Sequence, residues 1–279
     1  MDKLYTTTTL KCSKLITQHY STSFTLGIKT LERKFHLPIY AIYGFVRYAD
    51  EIVDTFHEFD KAKLLSKFKT DTYEAIDLGI SLNPVLHSFQ LIVNDYGIEK
   101  ELIEAFLHSM EMDLNKDSYS SDGYQQYIYG SAEVIGLMCL KVFCEGNDNL
   151  YQSLKAPAKS LGAAFQKVNF LRDIKSDFKD RGRVYFPGVN FNSFGDDEKT
   201  KIEHDIEQDF KHALTGIKQL PKGSRPGVYL AYVYYIRLFK RIKSFSSQKI
   251  TNQRVRIPDF VKFILLSKTL ILNKLNLIQ

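Results

Sequence analysis

Apolar residues recur at helical spacing through most of this 279-residue chain, and the alternating pattern of a half-buried strand is scarce. Stripes of that kind bury themselves against one another, so the sequence reads as all-α. The spacing predicts helices over 11–20, 38–56, 61–79, 84–96, 100–115, 124–144, 150–180, 196–219, 226–245 and 258–276. Turn formers break the pattern at Leu82-Asn83-Pro84, from Lys116 to Gly123 and at Gly146-Asn147-Asp148. A polar segment from Pro187 to Gly195 predicts a loop beside a pocket, with Asp196 capping the helix that follows. No fixed-period repeat and no low-complexity linker divides the chain, which favours one domain.

Two of these helices carry paired aspartates four residues apart, Asp50 with Asp54 and Asp173 with Asp177. Positions i and i+4 share a helix face, so each pair can direct two carboxylates at one point. A like-charged pair on a helix is usually just its solvated face. Here, however, both pairs lie in apolar and aromatic sequence, with Arg47 a turn before the first and Gln166, Asn169 and Arg172 near the second. Carboxylates without neighbouring cysteine or histidine suit Mg²⁺ or Mn²⁺, whose coordination is commonly completed by substrate phosphates. A phosphate or diphosphate ligand is therefore expected, with Arg47, Arg172, Arg181 and Arg183 as donors.

The formal net charge of +6 favours an anionic ligand or lipid surface. No zinc-ligand spacing, RNA-recognition pattern or basic stripe points to nucleic acid. Cys12, Cys139 and Cys144 form no C-x-x-C and leave an odd count, which fits a reducing compartment, and the N-terminus lacks a secretion signal's apolar core. A cytoplasmic location is expected. The most apolar stretch, Phe260 to Ile278, is interrupted by Lys262, Lys268 and Lys274, and suits either a packing helix or transient contact with a membrane surface.

Four blocks resemble the squalene/phytoene synthase family, most closely its bacterial phytoene synthases. They are Ser21-Thr22-Ser23-Phe24, the stretch from Ala41 to Asp54, the stretch from Tyr127 to Gly136, and Gln166 to Asp177 continuing to Arg183-Val184-Tyr185-Phe186-Pro187. The last, Q-x-x-N-x-x-R-D-x-x-x-D followed by R-x-Y-F-P, is the most specific. The resemblance implies an all-helical isoprenoid synthase bundle with a central cavity, and head-to-head condensation of two prenyl diphosphates through a cyclopropylcarbinyl diphosphate. It implies that Asp50, Asp54, Asp173 and Asp177 bind Mg²⁺, and that Ser21, Ser23, Arg47, Gln166, Asn169 and Arg172 contact diphosphate or order its metals. Tyr43, Tyr129, Tyr185 and Tyr235 would lie near the reacting carbons, with Phe24 and Gly136 shaping the tail cavity.

Glu133 and Lys175 stand where many relatives have glycine. Phytoene formation from geranylgeranyl diphosphate is the leading expectation. The alternatives are a C30 enzyme acting on farnesyl diphosphate, with NADPH only if squalene is made, and a non-catalytic assembly protein. A terpene cyclase would carry an Asn/Ser/Glu second motif in place of paired aspartates.

Overall fold

The computed structural model describes residues 3–115, 120–181, 185–187, 194–275 and 277–278, with no side chain described for 115, 176–181 and 259. The Asp177 and Arg181 side chains, Arg183, and most of the expected loop from Pro187 to Gly195 therefore lie outside the described residues. Helices follow one another as α1 (Lys3–Tyr20), α2 (Thr22–Lys29), α3 (Arg33–Asp54), α4 (Lys61–Leu78), α5 (Pro84–Tyr96), α6 (Lys100–Asn115) and α7 (Ser121–Ile128). A single π-helical stretch, Tyr129–Glu133, joins α7 to α8 (Val134–Cys144). Then come α9 (Asp148–Arg181), α10 (Asp196–Gln219), α11 (Arg225–Lys243), α12 (Ser247–Asn252) and α13 (Asp259–Lys274). Among the described residues there is no strand, so the all-α expectation holds.

Several boundaries differ from the sequence reading. The N-terminal threonines are helical, and Thr7 and Thr8 turn their hydroxyls back to the carbonyls of Lys3 and Leu4, at 2.7 and 2.8 Å. Helix α3 starts five residues before Pro38, and its added turn buries Phe35. The short helices α2 and α12 were missed; each has a serine cap, Ser21 accepting from the Phe24 amide and Ser246 from the Lys249 amide. Asp196 begins α10, but Gly195 holds the cap position; the Asp196 carboxylate instead accepts from the Ser247 amide at 2.7 Å.

The interior forms two apolar cores. One gathers α3, α4, α5, α6 and α8, with Phe45 stacked 3.9 Å from Phe89 and flanked by Phe68 and Phe106. The other gathers α9, α10 and α11, with Ile206, Phe210, Leu238 and Phe239. Two helices belong to both: Met110 of α6 and Leu154 of α9 join the first core, Met112 and Ala163 the second. The run Ser121–Cys144 is long and apolar enough to cross a membrane, yet more than half of it is buried. Its packing beside α6 and α9 accounts for that composition.

Candidate active site

On α3, Phe45, Ala49, Ile52 and Val53 face the first core. Tyr43, Arg47, Asp50 and Asp54 recur at i, i+4, i+7 and i+11 and form a second, polar stripe on the same helix. On α9, Gln166, Asn169 and Asp173 recur at i, i+3 and i+7, and Asp177 continues the register by position. The two stripes are related through Tyr235 of α11, which interacts electrostatically with Tyr43 of α3 and with Asp173 of α9.

Around Asp50 the charges are mostly negative. Arg47 pairs with Glu51 and reaches Asp50 at 3.8 Å, while its guanidinium covers the ring of Tyr20 at 4.4 Å. Burial, opposed by Arg47 and reinforced by Asp54, Asp113 and Glu51, pushes the Asp50 carboxyl up to about 7. Its side chain keeps 34% of its surface open. The buried Nε of Arg47 has no hydrogen-bond partner among the described residues. A concentrated negative charge beside an unused guanidinium donor fits a divalent cation carrying an anionic ligand.

Asp113, at the end of α6, is the carboxylate that the sequence reading missed. Only 9% exposed, it accepts a hydrogen bond from the Tyr127 hydroxyl at 2.8 Å. From Tyr127, a member of the second core, a chain of contacts runs to α9 and α11. Ser131 donates to the Tyr127 carbonyl at 2.7 Å, Gln166 reaches Ser131 at 3.4 Å, and Asn169 reaches Gln166 at 3.5 Å. Tyr235 of α11 then donates to Asn169 at 3.2 Å and stacks on Phe165 at 3.9 Å.

The circuit closes through Tyr43, which interacts electrostatically with Tyr235, Arg47 and Asp50 and hydrogen-bonds Ser21. Burial is the main reason that the Tyr43 and Tyr235 hydroxyls are both raised above the ordinary tyrosine value. Phe24 packs 5.3 Å from Tyr43, and Ser23 sits half-buried in the first turn of α2. In the first turn of α2 the Phe24 amide is taken by the Ser21 hydroxyl and the Thr25 amide by the Ser21 carbonyl.

On α9, Arg172 holds Asp173 with Nε 3.1 Å from both carboxylate oxygens and Nη2 2.5 Å from Oδ2. A second arginine absent from the sequence reading, Arg254, donates to Asp173 at 2.7 Å from the segment after α12. Asp173 is thus paired with guanidinium groups, while Asp50 lies among carboxylates. No three acidic, histidine or cysteine side chains among the described residues already form a metal shell.

Two expected residues lie to the side of the circuit. Tyr185 is buried against Phe170, 4.0 Å away with parallel rings, and lies 5.5 Å from Tyr127, so it backs the wall. Tyr129 lies beneath the Lys159 ammonium at 5.0 Å, and Lys159 also pairs with Glu133 at 3.0 Å. Gly136 faces the carbonyl of Ala158, 3.1 Å from where a Cβ would stand. Its small size thus serves contact between α8 and α9.

Residues 17–260 match the family model for squalene/phytoene synthase. A 4,4'-diapophytoene synthase of Staphylococcus haemolyticus is 25% identical over 199 residues, covering 68% of this chain and 66% of that protein. A phytoene synthase of Arthrospira platensis is 25% identical over 276 residues, covering 90% and 89%. A dehydrosqualene synthase crystal structure superposes with a TM-score of 0.82 at 19% identity, covering 96% of this chain and 98% of that one, which shows a shared fold. The chain belongs to the squalene/phytoene synthase family of prenyltransferase-type synthases.

Proposed function

We propose that this protein condenses two molecules of geranylgeranyl diphosphate head to head into phytoene, through a cyclopropylcarbinyl diphosphate, with Mg²⁺ as cofactor and Mn²⁺ as a substitute. The observation that carries the reading is the gathering of Asp50, Asp54 and Asp113 beside Arg47, whose buried Nε lacks an acceptor among the described residues. Phytoene synthases among the relatives, one aligned over nine-tenths of this chain, support the C40 product.

Asp50, Asp54, Asp173 and Asp177 would hold the metal. Bound there, it would supply positive charge to the departing diphosphate. Arg47 and Arg172 add planar donors for its oxygens, and Ser21 adds a neutral contact. The first step joins the two prenyl groups and releases one diphosphate and one proton. The second rearranges the cyclopropane and releases the other diphosphate and a further proton. Tyr43, Tyr235 and Phe165 line the site with aromatic surface that excludes water and stabilises a passing allylic cation through the negative ring faces. Tyr185 and Phe170 support that wall from behind.

The fold shared with a dehydrosqualene synthase, and a relative named 4,4'-diapophytoene synthase, favour a second reading in which two farnesyl diphosphates give a C30 hydrocarbon. Squalene in particular would require a hydride donor such as NADPH. Incubation of the purified protein and Mg²⁺ with either diphosphate, with and without NADPH, followed by mass spectrometry of the extracted hydrocarbon, separates the readings. Phytoene from the C20 substrate without reductant is expected. A C30 product alone would replace the substrate assignment, and no hydrocarbon from either would leave a non-catalytic assembly role.

A further inference from the structure

We infer that α13 lies on an anionic bilayer surface and holds the mouth of the active site against it. On α13, Phe260, Phe263, Ile264 and Ile271 are 58–65% exposed, and Leu275 and Leu277 extend the surface at 61% and 60%. The opposite side of the helix carries buried Thr269 and packs against α11. The exposed residues recur at three- and four-residue intervals, so they form one stripe about 24 Å long. An apolar stripe of this length is uncommon on a protein that meets only water.

Charge identifies the occupant. Past Asp259 at its start α13 carries no acid in its sequence, whereas Lys268 and Lys274 are exposed with the apolar stripe. Beyond its C-terminal end, exposed Lys222 borders a small recess with Asn273 and Ile278, whereas the half-buried Arg225 there is bonded to the carbonyls of Leu220 and Ile278. Apolar side chains flanked by lysines match an interface where acyl chains lie beneath anionic headgroups. The helix also meets the site: Lys262 contacts the hydroxyl of Thr22 at 3.5 Å, and the adjacent Ser21 hydrogen-bonds Tyr43. A bilayer against α13 would therefore lie close to where long-chain substrates enter and a hydrocarbon leaves. That benefit rests on the proposed reaction, whereas bilayer binding is measured without turnover, so either can fail alone.

Co-sedimentation of the full chain with vesicles of phosphatidylcholine alone, or of equal parts phosphatidylcholine and phosphatidylglycerol, tests the inference. Wild-type protein should pellet with the mixed vesicles and remain largely in solution with the neutral ones. Phe263→Glu combined with Ile271→Glu alters exposed positions only, and should lower partitioning more than about tenfold while leaving circular dichroism unchanged. Lys268→Gln and Lys274→Gln should each lower binding to the mixed vesicles about fivefold. Failure of the wild type to pellet, or pelleting of the double variant like wild type, would overturn the inference. So would a wild-type dimer in sedimentation velocity that Phe263→Glu splits, because a second copy would then cover the stripe.

Discussion

At the residue scale, Asp50 is a carboxylate that the fold holds at a cost. Burial and three neighbouring acids oppose its charge, and Arg47 only partly offsets them. Asp50→Asn should lower turnover by about two to three orders of magnitude, because it removes charge that holds the metal against the departing diphosphate. The same variant should leave the melting temperature of the metal-free protein at neutral pH unchanged or raise it by about 2 °C, since it relieves repulsion. A drop of several degrees would instead make Asp50 a structural group. Asp113→Asn keeps an oxygen to accept from Tyr127 but removes a negative charge near Asp50. The Mg²⁺ concentration for half-maximal activity should rise about tenfold, with little change in maximal rate. The paired aspartates were legible in the sequence because i and i+4 spacing has a geometric meaning. Asp113 was not: one acid at the end of a helix has no pattern, and its meaning comes from where α6 crosses α3. Arg254 escaped for the same reason, lying 81 residues from Asp173 in a segment without periodicity.

At the element scale, the π-helical stretch Tyr129–Glu133 sets how closely α6 and α9 approach the site. A Cβ on Gly130 would stand 2.3 Å from the Ala105 carbonyl and 2.7 Å from the Ser109 Cβ. Neither neighbour is a flexible side-chain end, so α6 would have to move. Gly130→Ala should therefore destabilise by about 1–3 kcal/mol, a fall of roughly 2–10 °C in melting temperature. It should also depress activity, because Ser131 links Tyr127 to Gln166 of α9. A variant with wild-type melting and activity would show that the approach is slack. The sequence signalled a helix over 124–144 but not this irregularity, because an extra residue per turn leaves the apolar count nearly unchanged. The short helices α2 and α12 escaped for a related reason: eight and six residues are too few to establish a period, and their serine caps resemble ordinary turn residues.

For the whole molecule, the important fact is that the site draws on helices of both cores. Tyr43, Arg47, Asp50 and Asp54 sit on α3, a helix of the first core, and Gln166, Asn169 and Asp173 on α9; Tyr235 of α11, in the second core, interacts electrostatically with both Tyr43 and Asp173. Within this arrangement a ligand that bridges α3 and α9 adds contacts between halves otherwise joined through shared helices. A non-reactive prenyl thiodiphosphate with Mg²⁺, present at about 100 times its dissociation constant, should stabilise the folded chain by about 2.7 kcal/mol. For a chain of this size that is a rise of about 5 °C or more in a thermal melt. The analogue without metal should give a smaller shift, because the carboxylates would then face its phosphates uncompensated. Asp50→Asn and Asp173→Asn lie on different stripes, so each alone should cancel most of the metal-dependent rise. If either variant kept the full shift, the two stripes would not be gripping one ligand, and the space between them would not be the place where diphosphate is held.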